Sequence, residues 1–388
     1  MTDLRAYVTL PADLAQPAPG PVVARPSRVL LTGATGYLGA YLLTELLARS
    51  EATVVCLVRA RDIQDGRTRL EANLARYDLT ADFSRVEVLP GAMEQPGLGL
   101  DTATWQALAE NIDAIVHSAA SVSFLPTLEQ MLPVNVGGVV NLLRLAGDTR
   151  LKTLHLASSY SVFNASSYSG VPRVFEEPLV GDGDGFRRGY PASKWIAERV
   201  GDLASARGWS VTTHRLGLLW GDARTGRSKH DDVLTLNVRA CLAMGAAQDL
   251  DFLMHITPVD FAASAMAAIV MAPEHAGGYY HTVTETPITW GEFVRGMQRH
   301  GYPIELVSSA AWHERLRGVL PAHREFMPLV MGASADSKRG LHESNIFSMQ
   351  FDASRLRAAL AGTGITCPPL DQGLIGTYAD AMAGGAPR

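Results

Sequence analysis

The stretch from Arg28 to Arg49 constrains the fold more than any other. Val29, Leu30 and Leu31 form an aliphatic run of strand length, and Gly33, Gly36 and Gly39 follow at three-residue spacing. Leu38, Tyr41, Leu42 and Leu46 then recur at helical spacing. A buried strand, a glycine turn and an amphipathic helix, in that order, make the first unit of a dinucleotide-binding fold. The first glycine permits the tight turn, the second lets backbone approach a pyrophosphate, and the third lets helix pack on strand. The helix N-terminus adds free N–H groups and a partial positive charge. Such turns also occur without a ligand, but this context favours a phosphate seat built from Thr32, Gly33, Thr35, Gly36, Tyr37, Leu38 and Gly39.

Beyond it, short β-branched runs alternate with helical stretches. Strands are predicted at Arg28–Thr32, Thr53–Val58, Val86–Leu89, Ala114–His117, Thr153–Ala157 and Val211–Arg215, with a seventh at Gly278–Thr282. Helices are predicted between most of them, including Tyr37–Arg49 and Leu128–Gly147. This alternation predicts an α/β fold, a Rossmann doubly wound parallel sheet covered on both faces. Near Trp220 the pattern changes to a polar, basic loop (Gly221–Lys229) and a helical stretch (Asp231–Gly245). After Thr289 the chain reads as helices separated by Gly and Pro. The expected division is a proline-rich extension or linker at 1–27 and a dinucleotide domain at 28–220, completed by about 251–288. A smaller, mostly helical C-terminal substrate lobe takes 221–250 and 289–388.

Composition excludes several classes. The 388 residues are 47% hydrophobic, enough for a large core, and the net charge of −5 does not suggest nucleic acid as a partner. Cys56, Cys241 and Cys367 are too sparse for a disulfide framework or zinc site and suit a reducing compartment. The N-terminus lacks a signal-peptide pattern, and no apolar run reaches about 18 residues. The expectation is a cytoplasmic protein with no membrane partner. No metal site is expected. The 11 histidines show no His-Glu-x-x-His spacing. Gly181-Asp182-Gly183-Asp184-Gly185 lacks the glutamate of a calcium loop, since Ser193 stands where it belongs. His155, within a strand, reads as a core residue.

The second strand ends in Leu57-Val58-Arg59-Ala60-Arg61. An acid there would hold a ribose 2′-hydroxyl, whereas a guanidinium fork suits a 2′-phosphate. NADPH is therefore the expected cofactor, with Arg59 the leading contact, Arg61 beside it and Asp62 able to serve a 2′-hydroxyl. A solvated arginine at a strand end is the plainer alternative. Ser118, Ala119 and Ala120 follow the fourth strand and are small enough for a ring or ribose to lie near the backbone.

Ser158-Ser159 follows the fifth strand, and Tyr190-Pro191-Ala192-Ser193-Lys194 opens the next predicted helix. Residues four apart on a helix share a face, so phenol and ammonium point the same way. A neighbouring cation favours ionisation of a phenol and makes it a better acid. Carbonyl reduction needs such an acid at the oxygen. Tyr190 would donate the proton, Lys194 would tune it and hold the nicotinamide ribose, and Ser159 would hold the same oxygen.

These residues resemble the extended short-chain dehydrogenase/reductase superfamily. The motifs are Thr-Gly-x-x-Gly-x-x-Gly at 32–39, His117–Ala120, Asn135-Val-Gly-Gly, Ser158–Val162, Tyr190-x-x-x-Lys194 and Pro258-Val259-Asp260-Phe261. The chain is most similar to the thioester reductase domains of nonribosomal peptide and polyketide synthetases and carboxylic acid reductases. Cys-Leu-Val-Arg-Ala and Gly-Tyr-x-x-Ser-Lys-Trp-x-Ala-Glu (189–198) are the most specific matches. The resemblance is good over roughly 28–290 and only general beyond. It implies NADPH-dependent release of an acyl or peptidyl thioester from the phosphopantetheine arm of a carrier protein, as an aldehyde that some members reduce to an alcohol. It also places Asn135 in the cofactor set. Where the family usually has Thr, this chain has Ser159, which keeps the hydroxyl. Arg224, Arg227, Lys229 and Arg239 form a candidate basic surface for the arm or the carrier, or simply a solvated loop. A sugar-nucleotide epimerase or dehydratase and a non-catalytic dinucleotide sensor are the competing readings. Arg59 and Arg61 weigh against the first, and the intact Ser159, Tyr190 and Lys194 against the second.

Overall fold

The computed structural model describes residues 3–122, 126–330 and 344–384. Of the stretch assigned above to the second lobe, 331–343 and 385–388 lie outside the described residues, as do Met1 and Thr2 of the extension. Seven strands form the main sheet: β1 (Arg28–Thr32), β2 (Thr53–Val58), β3 (Val86–Pro90), β4 (Ala114–His117), β5 (Thr153–Ser159), β6 (Ser210–Leu216) and β7 (Gly278–Thr282). Their order is β7-β6-β5-β4-β1-β2-β3, and every pairing is parallel. The order reverses at β1, between β2 and β4, which is where a doubly wound sheet opens a crevice at its carboxyl edge.

Alternate residues of each strand feed opposite faces, as pleating requires. Leu30, Val55, Ile115 and Leu154 face one core. It is covered by α3 (Thr102–Asn111), α4 (Leu128–Leu132), α5 (Gly138–Gly147) and α6 (Gly189–Ser205). Val29, Leu31, Val54, Cys56 and Val116 face the other. There α1 (Tyr37–Arg49), α2 (Ile63–Arg76) and α8 (Val259–Val270) pack. The predicted helix over 128–147 is interrupted by a π-helical turn at Pro133–Gly137.

A separate core gathers Trp220, Phe293, Met297, Trp312 and Tyr378. It is built by α7 (Val233–Met244), α9 (Trp290–Arg299), α10 (Ser309–Val319) and α12 (Gln372–Ala383). Short strand pairs join it, such as Ala246–Gln248 with Glu305–Val307. Strands of two or three residues are too short to show a period in sequence. Residues 344–360 touch this core through Phe347, whose ring lies 4.9 Å from that of Phe252, but otherwise pack elsewhere. Ile346, Met349 and Phe351 enter the first sheet-face core, and α11 (Ser354–Ala359) lays Leu356 against Phe261 and Tyr280. Among the described residues, no helix is long and apolar enough to cross a membrane.

The proline-rich start is docked rather than loose. Leu4 and Leu14 are buried in the first core. The Leu14 carbonyl accepts from Arg207 at 3.0 Å, Arg144 pairs with Asp13 at 2.6 Å, and the Ala18 N–H donates to Gly147 at 2.7 Å. Two leucines among prolines suffice as anchors, a pattern too sparse to register as an element. Leu14→Ala should cost about 2–3 kcal/mol, read as a lower urea midpoint at unchanged slope. An unchanged midpoint would mean that the docked segment adds nothing.

Candidate active site

The glycine turn is fixed by close backbone approach. Gly33 has φ +79°, and a Cβ there would lie 2.6 Å from the Ala119 nitrogen. A Cβ on Gly39 would lie 1.9 Å from the Gly33 carbonyl oxygen. Gly36 caps α1 in an extended conformation and donates its N–H to that carbonyl at 2.8 Å. A Cβ on Gly36 would meet only the Gly33 oxygen, at 3.1 Å, so its requirement is to keep a surface low rather than to avoid protein. Buried Asn73 on α2 donates to the carbonyls of Ala34 at 3.1 Å and Gly36 at 2.9 Å. The loop's carbonyls are thus held from behind, while the first N–H groups of α1, at Tyr37, Leu38 and Gly39, have no intrahelical acceptor. Nothing in sequence spacing singled out Asn73. This cradle fits a dinucleotide pyrophosphate.

Other predicted contacts divide. Thr32 and Ser118 tie β1 to the end of β4. The Thr32 hydroxyl bonds His117 at 2.8 Å, and the Ser118 hydroxyl donates to the Thr32 carbonyl at 2.8 Å. Burial pushes His117 down to about 3, so it is neutral. Ala119 and Ala120 remain partly exposed beside the turn, as does Thr35. Tyr37 is not free for a ligand, because its phenol donates to the carbonyls of Trp220 at 2.9 Å and Arg227 at 3.2 Å. Leu38 is buried and offers only backbone.

Arg59 is exposed at the end of β2, where its carbonyl accepts from the Arg69 guanidinium. Arg69, on α2, was not anticipated, since it lies outside the strand-end motif. Arg61 is drawn to Asp65 at 3.2 Å, and Asp62 caps α2 by accepting from the Asp65 N–H at 2.8 Å. Asp62 is therefore occupied as a cap rather than waiting for a hydroxyl.

At the switch-point edge, Ser159 ends β5, while Tyr190 and Lys194 lie one turn apart at the start of α6. Pro191 is harmless there, because its position would leave an N–H unpaired anyway. The Lys194 ammonium donates to the Ala157 carbonyl at 2.7 Å and lies 6.0 Å from the Tyr190 ring centroid. The expected tuning of the phenol differs in sign. Burial pushes Tyr190 up to about 12, and the nearby Ser159 hydroxyl pulls only partly back. Burial also brings Lys194 down to about 8, with the Glu198 carboxylate acting against it. Desolvation outweighs the cation because the ammonium points at a carbonyl rather than at the phenol oxygen.

Asn135 sits in the π turn, a feature common at functional sites. Its amide is engaged by the Ser121 backbone at 2.7 and 3.0 Å and the Ser193 hydroxyl at 2.9 Å. It joins the loop after β4 to α6 rather than pointing at a ligand. The basic surface is neutralised locally. Arg224 pairs with Asp222 at 3.5 Å, Arg227 with Asp78 at 3.8 Å, Lys229 with Asp231 at 3.2 Å and Arg239 with Glu325 at 3.6 Å.

Fold and site together define a dinucleotide-dependent reductase. Residues 31–266 match the model of the male sterility protein NAD-binding family. The terminal R domain of the myxalamid PKS-NRPS pathway is 34% identical, with a TM-score of 0.89 and 99% of each chain covered. The chain belongs to this family of terminal reductase domains. An isonitrile lipopeptide synthase of Streptomyces coeruleorubidus is 33% identical over 92% of the chain. A linear gramicidin synthase of Brevibacillus parabrevis is 29% identical over 91% of it. The chain spans only 24% and 7% of the length of these two relatives.

Gly39→Ala should remove measurable binding of a reduced nicotinamide dinucleotide by nucleotide fluorescence and cost about 1–3 kcal/mol, as overpacking does. Wild-type affinity in a folded variant would mean that the close approach is dispensable.

Proposed function

We propose that this domain reduces an acyl or peptidyl thioester, presented on the phosphopantetheine arm of a carrier protein, to an aldehyde with NADPH. The observation that carries the reading is the convergence of Ser159, Tyr190 and Lys194 beside the glycine cradle at the switch-point edge. Residues 28–220 with 251–288 hold the dinucleotide, and the separate core built from 221–250, 289–330 and 370–383 shapes the acyl side. The full-length similarity to a terminal R domain supports a thioester substrate. Bound NADPH supplies hydride to the thioester carbon.

The chain's own groups do the rest. Thr32–Gly39 and Ser118–Ala120 seat the dinucleotide, and Lys194 holds the nicotinamide ribose. Arg59 is exposed at the end of β2 and the Arg69 guanidinium reaches its carbonyl, so cationic side chains stand at the strand end that faces the ribose, which supports NADPH over NADH. Ser159 and Tyr190 hold the thioester oxygen as charge develops. The upward shift of Tyr190 keeps its proton in place at neutral pH, as a donor needs. Once that oxygen is protonated, loss of the thiol leaves the aldehyde.

Tyr190→Phe should lower kcat by on the order of 10²–10⁴ on an acyl-coenzyme A thioester. Near wild-type turnover would rule out the proton-donor role. Arg59→Ala should raise KM for NADPH about tenfold or more and leave KM for NADH alone, the size of one charge-assisted contact. Equal effects on both would remove the 2′-phosphate assignment.

A further inference from the structure

Glu198 stands two turns beyond Tyr190 and one beyond Lys194, on the same stripe of α6. Its side chain is 1% exposed and that of Arg215, its partner on β6, is 0% exposed. The guanidinium grips the carboxylate at 2.9 and 3.0 Å. The other carboxylate oxygen accepts from the Ser158 hydroxyl at 2.5 Å. Ser158 immediately precedes Ser159 on β5, and Lys194 donates to Ala157 just before it. Three consecutive residues of β5 therefore carry two ties to α6 and the catalytic hydroxyl.

We propose that Glu198 is a positioning residue, clamping the end of β5, with Ser159 on it, to the helix that presents Tyr190 and Lys194. This rests on the roles given above to those three residues. A buried ion pair is weak evidence for stability, since apolar replacements of similar volume often serve as well. Its placement has a purpose if it sets geometry, because a displacement of about 1 Å in a catalytic group can cost on the order of 10²-fold in rate.

The clamp also acts through charge. Lys194 faces the Ala157 carbonyl on β5, His117 on β4, and Tyr190 and Glu198 on its own helix. Glu198 faces Arg215 on β6, Ser158 on β5, Tyr279 on β7, Tyr168 in the turn Ser166–Tyr168, and Asp202 on α6. Of the groups around Lys194, the Glu198 carboxylate favours its proton. Removing that charge moves loss of the ammonium to lower pH, and because Glu198 rather than Arg215 acts on Lys194, the direction holds when both are replaced.

The test uses E198Q/R215M, which leaves neither charge unpaired, and Ser158→Ala, which leaves the ion pair intact. NADPH binding is followed by nucleotide fluorescence from pH 6.5 to 9.5, and kcat and KM with decanoyl-coenzyme A. In the folded double variant, affinity for NADPH should begin to fall at lower pH than in wild type. Ser158→Ala should lower kcat about tenfold at unchanged KM, and Ser158→Thr should restore it. A profile that is superimposable or shifted to higher pH in the double variant overturns the proposal, whatever its rate, since mere loosening would admit water to Lys194 and move loss of its proton upward. Wild-type kcat in Ser158→Ala overturns it too, and decides alone if the double variant does not fold. If decanoyl-coenzyme A is not turned over, the binding profile decides. Tyr190→Phe serves as the control, because wild-type turnover there defeats the underlying roles and not the clamp alone.

Discussion

The structure depends on one close approach, the packing of the Gly39 face of α1 onto the carbonyl of Gly33. It lets helix and strand meet without side chains between them, and so sets the angle at which α1 leaves β1. Because β1 lies at the switch point, the same contact aims the helix N-terminus into the crevice. Asn73 and Ser118 then brace the turn from α2 and β4. The proposed catalytic groups are placed by a consequence of that layout: parallel strands buried on both faces leave their carboxyl ends as the accessible edge.

Desolvation governs the electrostatics of that edge. Tyr190 and Lys194 are pushed toward their neutral forms by burial, in opposite directions on the pH scale. A neutral phenol is a proton reservoir, and an ammonium near its midpoint answers sensitively to neighbouring charge. Glu198, neutralised by Arg215 yet within electrostatic reach of Lys194, is placed to bias it.

The sheet domain and the separate helical core are stitched beside the glycine turn. Tyr37, the first residue of α1, bonds the carbonyls of Trp220 and Arg227, and Tyr378 of α12 bonds Gly221 at 3.0 Å. The loop that begins the separate helical core is thereby tied to α1, the helix proposed to seat the phosphates. Arg224 and Lys229 of that loop pair with their own neighbours and Arg227 with Asp78 beyond α2, so its contribution is shape more than field.

Much was legible in sequence because it is local. The strand runs, the glycine spacing, the Ser158-Ser159 pair and the Tyr190–Lys194 interval each lie within one element, where a period of 2 or 3.6 reports directly on geometry. Those features determined the doubly wound fold and pointed to the residues proposed for the site. Tertiary structure alone decided what depends on partners distant in the chain. It spent the Tyr37 phenol on Trp220, turned Asn135 toward Ser121, and brought Arg69 back to Arg59. It also buried Glu198 against Arg215 and laid 344–360 on the sheet. Desolvation likewise follows from packing in three dimensions, so the direction in which Tyr190 is shifted was fixed only once its surroundings had closed around it.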